Sequence, residues 1–458
     1  YKSLWMVTFL QRTFTSLVHA HAGRTQVVAL GKITRSAPNF PVSKALYFIM
    51  KKLLAILIPL FAVVVLLAHV DDDLSEESIR LMDRLDSEGT SESFPYLYGV
   101  FASEADDPLK VGSQLLEEYR KLDVDASYAV ADYPDAEKIP LPTGDAFCNA
   151  SERGCLASLF SLPFNLENLL SEHRLLVARS NRFIEFDEYT TLSKPTIHEL
   201  FPPYQYIAAA ERIKVLEAIS VYNGGNATEA IDALSLQFSQ LRRAMALQDN
   251  LIGKLVFLMK LSEIIDVMSI ILTNDEAVIK RIPALSPSEK SFAMIASREF
   301  GMSYYTFKSL DKHPEFFESG SNFPGWITRM FYKPNMTINS VAPTYLNLEQ
   351  LALLSPADFA KQIDLSHSNS PSTSKLRNYV GSILIAVSSP QYAEYVASFQ
   401  DFEAKLALFN QVNHFKLTLD RMENPYYGNE TPREAEGSLC FSGPLDDKKS
   451  LRSLKVNI

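Results

Sequence analysis

At 458 residues the chain exceeds the length at which a single hydrophobic core usually stops growing, so one large or two modest domains are expected. A composition of 47% hydrophobic and 21% charged residues excludes wholesale disorder, and only 17 glycines argue against glycine-rich phosphate loops and turn-dense β-sandwiches. The net charge of −10 conceals an asymmetry: residues 1–52 hold eight Lys or Arg and no acid, leaving 36 basic against 54 acidic residues on 53–458, a body too negative for a nucleic-acid partner.

Residues 1–49 begin with Tyr and lack acids, and they read as a doubtful N-terminal extension. Met50-Lys51-Lys52 leading into Leu53-Leu54 resembles an export start and is the expected true beginning, with an organellar transit peptide as the rival reading. Residues 53–68 (LLAILIPLFAVVVLLA) are apolar without interruption and are followed by Asp71, Asp72 and Asp73. Basic residues before such a run and acids after it orient it with its N-terminus in the cytoplasm. Sixteen residues span about 24 Å as a helix, slightly short of a hydrocarbon core of about 30 Å and equally suited to a signal peptide. No A-x-A cleavage pattern follows, so 50–70 is expected to be a retained signal anchor, a single-pass span of an inner membrane with the bulk of the chain periplasmic.

Residues 71–93 form a linker in which Ser75, Glu76 and Glu77 start a short helix, and a helical domain is expected over 94–365. Residues 96–102 (YLYGVFA) are aromatic and β-prone, and 108–122 form an amphipathic helix. Cys148 and Cys155, with six residues between them in a polar loop, suit a disulfide closing a short ring. With no His or further Cys nearby zinc is disfavoured, a pair of plain thiols stays open, and no cofactor is called for. Four glycosylation sequons, at Asn149, Asn226, Asn335 and Asn429, are close to the number that chance supplies.

A helix is predicted over 165–186 and three more between 203 and 272. The first of the three ends at Asn223-Gly224-Gly225, and Asn226 with Glu229 starts the second, whose Ile231, Leu234, Phe238, Leu241 and Met245 make a narrow apolar seam. The hairpin has a tetratricopeptide flavour without any 34-residue repetition. The third, 251–272, is apolar almost all round, but Lys254, Lys260, Glu263 and Asp266 mark it as the centre of a soluble bundle. Ser286-Pro287-Ser288-Glu289 and Ser355-Pro356-Ala357-Asp358 each sign a helix start. Residues 366–375 are a polar connector, and 376–458 hold C-terminal helices and a β-hairpin formed by 438–442 and 451–458. The expected fold class is mainly α: a helical bundle or hairpin array with a small C-terminal β-hairpin and an N-terminal transmembrane helix.

The chain contains no G-x-S-x-G, G-x-G-x-x-G, Walker A or H-E-x-x-H sequence. Ser372-Thr373-Ser374-Lys375 matches S-x-x-K but sits in the polar connector without a K-T-G partner. Between Phe300 and Tyr332 ten of 33 residues are aromatic, against 11% for the whole chain, with Gly and Pro interrupting what is expected to be an irregular segment. Either these rings pin a long loop onto the helices, or Tyr304, Tyr305, Trp326 and Phe331 line a groove for a sugar, peptide or lipid headgroup, with Arg329 and Lys333 supplying charge. Glu299 could serve as the acid of a wall-cleaving enzyme, though the glycine-rich run that accompanies such an acid is missing. The strip Lys260, Glu263 and Asp266 reads as a structural ion pair or solvated face before it reads as an acid–base cluster.

Residues 96–112 (YLYGVFASEADDPLKVG), the Cys148/Cys155 loop, 240–255 (QLRRAMALQDNLIGKL), 390–406 (PQYAEYVASFQDFEAKL) and 424–444 (NPYYGNETPREAEGSLCFSGP) resemble a group of exported, membrane-anchored Gram-negative proteins. The resemblance implies an anchored helical envelope protein and carries no activity or functional residues. Residues and resemblance together lead to the expectation of a binding or scaffold role, with the membrane and another envelope protein as partners. The alternative is an exported hydrolase acting on cell-wall material.

Overall fold

The computed structural model describes residues 51–59, 69–85, 89–121, 133–161, 166–197, 199, 201–275, 277, 279–318, 324–366, 377–388, 392–415 and 419–456. Its helices are, in chain order, α1 (Glu76–Asp83), α2 (Ser93–Tyr98), α3 (Pro108–Lys121), α4 (Cys155–Ser161), α5 (Leu166–Glu172) and α6 (Arg174–Glu185). They continue with α7 (Tyr204–Asn223), α8 (Ala227–Leu247), α9 (Leu251–Asn274), α10 (Pro287–Lys290), α11 (Ala293–Leu310) and α12 (Pro314–Glu318). The last are α13 (Gly325–Met330), α14 (Pro334–Leu353), α15 (Pro356–Ser366), α16 (Tyr379–Ser388) and α17 (Tyr392–Phe415), followed by strands β1 (Arg433–Ala435), β2 (Ser438–Cys440) and β3 (Ser453–Lys455).

The chain divides into two compact units. The small one holds the described residues up to Ile79, Ser303–Pro343 and those within Ser372–Pro390, and the large one holds Arg80–Met302 and the remainder, so that the boundary falls inside α1, α11 and α14.

In the large unit the expected hairpin of α7 and α8 turns at Gly225, whose φ of 90° suits glycine, and the Asn226 side chain accepts from the Glu229 amide to cap α8. α9 is buried along most of its length and packs against α7, α8, α17 and β3, as a helix that is apolar all round must. The Asn250 side chain caps it by accepting from the Gly253 amide at 2.7 Å. Cys148 and Cys155 are joined in a disulfide with their Cα atoms 5.8 Å apart. The expected C-terminal hairpin is an antiparallel sheet of three strands in the order β1-β2-β3, with Leu439 facing Leu454 across β2 and β3.

Several local expectations are corrected. Residues 96–102 do not form a strand: Tyr96, Leu97 and Tyr98 end the helix α2, all of whose residues are buried, and burial overrides the weak β preference of aromatics. A Cβ on Gly99 would lie 2.1 Å from the Pro108 carbonyl oxygen, and one on Gly112 would lie 1.8 Å from that of Pro95, so α2 and α3 meet backbone to backbone at two glycines. The Arg179 guanidinium, buried on α6, donates to the carbonyl oxygens of Val100, Ala102, Ser103 and Asp106, which orders the turn that follows α2. The helix expected over 165–186 is two helices, α5 and α6, meeting at His173. The Ser286 capping box is present but opens only the single turn α10; Glu299 lies in the middle of α11, a separate helix that carries the chain on to Leu310.

In the small unit Phe307, Phe317, Tyr332, Ile338, Val341, Val380 and Leu384 are buried. The Tyr332 hydroxyl donates to the Phe307 carbonyl at 2.6 Å. Asn378 ties α16 to α14: its Oδ1 accepts from the Lys333 amide at 2.9 Å and its Nδ2 donates to Thr337 Oγ1 at 2.9 Å. A Cβ on Gly381 would stand 2.1 Å from that same threonine oxygen, so the two helices cross closely there. Residues 51–59 are helical and exposed, while 60–68, the rest of the expected span, lie outside the described residues. Among the described residues no helix is long and apolar enough to cross a membrane. The Ser372-Thr373-Ser374-Lys375 match also lies outside the described residues.

Candidate functional site

The aromatic stretch from Phe300 to Tyr332 is not one loop. Phe300, Phe307, Phe317 and Tyr332 are buried, and the stretch begins as regular helix through Leu310 before continuing into α12 and α13. Tyr304 and Tyr305 sit half-buried on α11 with their rings edge to face at 5.2 Å, and Lys308 Nζ lies 5.9 Å from the Tyr304 ring centre. Trp326 on α13 keeps 69% of its surface exposed, and Phe331, which caps that helix, keeps 37%.

The two basic residues assigned to this surface behave differently. Arg329 is exposed and forms an ion pair with Asp311 at 3.0 Å. Lys333 is buried, and its ammonium donates to the Met330 carbonyl at 2.8 Å; burial pushes its pKa down, with the Asp71 carboxylate opposing. Lys333 therefore braces the end of α13 and supplies no surface charge.

Sequence reasoning missed two members of this surface. Tyr379 opens α16 and is 57% exposed, and its neighbour Val380 donates its amide to the Phe331 carbonyl at 3.1 Å, which brings the start of α16 against the end of α13. Arg377, two residues earlier, donates from Nη2 to the Val70 carbonyl at 2.8 Å and to Asp72 Oδ1 at 3.2 Å. The available signal was an aromatic residue set between Arg377 and the apolar sequence of α16, but its pairing with Phe331 spans some fifty residues of chain.

The carboxylates singled out as candidate acids are engaged within the large unit. Glu263 is fully buried between Arg212 and Lys260, with Lys260 Nζ at 2.6 Å, and the two cations outweigh burial to lower its pKa. Arg212 also donates to the Ala146 carbonyl at 3.1 Å, beside the disulfide loop. Asp266 belongs to a different cluster: Lys405 meets it at 2.7 Å, its other oxygen accepts from the Lys455 amide at 3.0 Å, and burial raises its pKa. The residues Lys260, Glu263 and Asp266 therefore serve two structural clusters and not one acid–base group.

Glu299 accepts from the Tyr392 hydroxyl at 3.1 Å, and that hydroxyl lies 3.2 Å from the Tyr345 hydroxyl. Glu199, which the sequence did not single out, pairs with Arg298 and accepts from Ser193; burial nonetheless pushes its pKa up to about 7. Nearby Asp249 accepts from the Thr191 amide at 2.7 Å and hydroxyl at 2.6 Å, and Asn250 donates to the Tyr204 hydroxyl at 2.9 Å. These groups lock the segment around Thr191 onto the start of α9.

Among the described residues no group of three or more His, Cys, Asp or Glu is placed to hold a metal ion. Compared with family models, curated proteins and solved structures, the chain matches no family model, no curated protein and no solved structure.

Proposed function

We propose that this chain is a membrane-anchored protein of a Gram-negative envelope, held by residues 53–68, whose body lies on the periplasmic side and acts by binding through the aromatic surface of the small unit. The observation that carries this reading is the exposure of Trp326 on α13, of Phe331 at the end of that helix and of Tyr379 at the start of α16, the two helix ends being joined by the Val380 amide and the Phe331 carbonyl. Large rings held in water on short, well-braced helices are what an interaction surface requires, since few rotamers are lost when they are covered.

Two further observations support export. The Cys148–Cys155 disulfide suits an oxidising compartment, and the basic-before, acidic-after charge pattern flanks the apolar run in the sense of an N-in anchor. The resemblance of 96–112, 240–255, 390–406 and 424–444 to anchored envelope proteins points the same way.

The binding surface is tested by placing a photoreactive phenylalanine analogue at Trp326 in the full chain, with the same group at Leu236, an exposed residue of the large unit, as reference. Light-dependent adducts at 326 well above those at 236 are expected, and equal labelling at the two positions would rule out a binding role for this surface. Export is read separately by a reporter, fused after Ile458, that matures only outside the cytosol.

A further inference from the structure

The residues that follow the apolar run are secured to the small unit without slack. Val70 lies two residues beyond 53–68, a reach of at most about 7 Å of extended chain. From there on the chain is tied residue by residue. Arg377 holds the Val70 carbonyl and the Asp72 carboxylate. The Asp71 carboxylate accepts from the amides of Asn335 and Met336, at 2.8 and 3.1 Å, in the first turn of α14, where an acid meets the helix dipole favourably. Asn335 donates to the Asp72 carbonyl at 2.7 Å, and Asn339 donates to the Asp73 carbonyl at 2.8 Å while accepting from the Ser75 amide at 2.8 Å. The three aspartates thus have a structural task besides flanking the run: they fasten its exit to α14 and to Arg377.

That fastening point borders the aromatic surface. Arg377 is two residues from exposed Tyr379, which is joined through Val380 to Phe331, and Trp326 lies on the short helix that Phe331 ends. α16 itself carries no charged residue, and its Ile383, Ile385 and Val387 remain only half-buried. Tryptophan, tyrosine and phenylalanine beside an arginine at the end of an apolar segment make up the chemistry that settles at the boundary between headgroups and acyl chains.

We infer that the surface of Trp326, Phe331 and Tyr379 rests on the headgroup boundary of the same bilayer that holds residues 53–68, so that the small unit is seated on the membrane and not suspended above it. This deepens the proposed function by naming the occupant of its surface, and it rests on the anchor reading. Asp72 is paired with Arg377 and the Asp71 carboxylate is occupied by the α14 amides, so the attraction is mainly apolar and persists in high salt.

The chain has two tryptophans, and Trp5→Phe leaves Trp326 as the only reporter. The full chain carrying Trp5→Phe is reconstituted into phosphatidylcholine nanodiscs containing lipid spin-labelled either near the headgroup or deep in the acyl chain. The shallow label is expected to quench Trp326 emission at least twofold, the deep label less, and 0.5 M salt to leave the quenching unchanged. A chain that stays in the discs through alkaline washing but whose Trp326 emits as indole in water, unquenched at either depth, overturns the inference and leaves the anchor standing. Blue-shifted but unquenched emission also overturns it, because the surface is then covered by protein, including a second copy of the chain. A chain that does not enter the discs overturns both readings.

Discussion

The large unit places in its interior the side chains that are most costly to bury, whereas the small unit leaves in water the side chains that would gain most from burial. Lys405 is 0% exposed between Asp266 and Ser262, Glu263 is enclosed by Arg212 and Lys260, Asp401 is held by Arg452 and the Tyr426 hydroxyl, and Glu403 by Lys290. Each of these four acids has a cation, and several of the pairs join distant parts of the chain. In the small unit the comparable side chains are Trp326 and Tyr379, both left exposed. A charge buried in a satisfied pair fixes one arrangement of helices, while a ring left exposed at a braced helix end has its energy still to gain from something outside the unit.

If that contrast is right, substitutions should separate the units. The largest effect is expected from Lys405→Ala, which leaves Asp266 buried without its cation and should destabilise the large unit by about 3–5 kcal/mol. The double variant Lys405→Met with Asp266→Leu should recover much of that loss, and denaturant unfolding of the two variants checks both statements. Should Lys405→Ala unfold at the wild-type midpoint, the pair has no structural role and the contrast falls.

Opening the disulfide with Cys148→Ser comes next, at about 2–3 kcal/mol by ring-closure entropy. Loss of protection should appear first around Arg212, which touches the loop through the Ala146 carbonyl, and hydrogen exchange of α7 peptides reads it.

Glu199 sharpens the picture by pH. Its carboxyl binds a proton more tightly in the folded chain than in the unfolded one, because burial lifts its pKa from 4.5 to about 7. Between those values the folded state holds more protons, so stability falls as pH rises, by at most about 1.4 kcal/mol per pH unit for one proton. Relative to Glu199→Gln, the wild type should therefore be comparatively most stable near pH 4.5 and lose that margin by pH 7. Parallel stability curves for the two proteins would contradict the assignment.

The smallest effect belongs to the small unit: Trp326→Ala should change stability by less than about 0.5 kcal/mol, read by denaturant unfolding. A loss of stability comparable to that of Cys148→Ser would mean that the ring is structural after all.

The features legible in the sequence share one property, which is that the interacting groups are close along the chain. Asn226 capping α8, Ser286 with Glu289, Ser355 with Asp358, and Cys148 with Cys155 all lie within seven residues of each other, and each was visible as a short pattern. The hairpin of α7 and α8 and the buried character of α9 followed from apolar periodicity for the same reason. The aromatic content of 96–102 favours a strand in isolation, and only the packing that buries Ser93–Tyr98 makes that segment a helix, while the break at His173 has no Pro or Gly to announce it.

The sequence by itself determined a helical body, its caps, a cysteine pair spaced for a disulfide, and an apolar run with charge of opposite sign on either side. Only the tertiary structure decided that Glu263 and Asp266, three residues apart along one helix, answer to different cations, that Asp71 caps α14 across 264 residues of chain, and that Val380 at the start of α16 meets Phe331 at the end of α13. The reason is physical: a hydrogen bond or ion pair between neighbours in sequence needs only local geometry, whereas one between distant segments exists only once the packing of whole helices has brought the partners within about 3 Å.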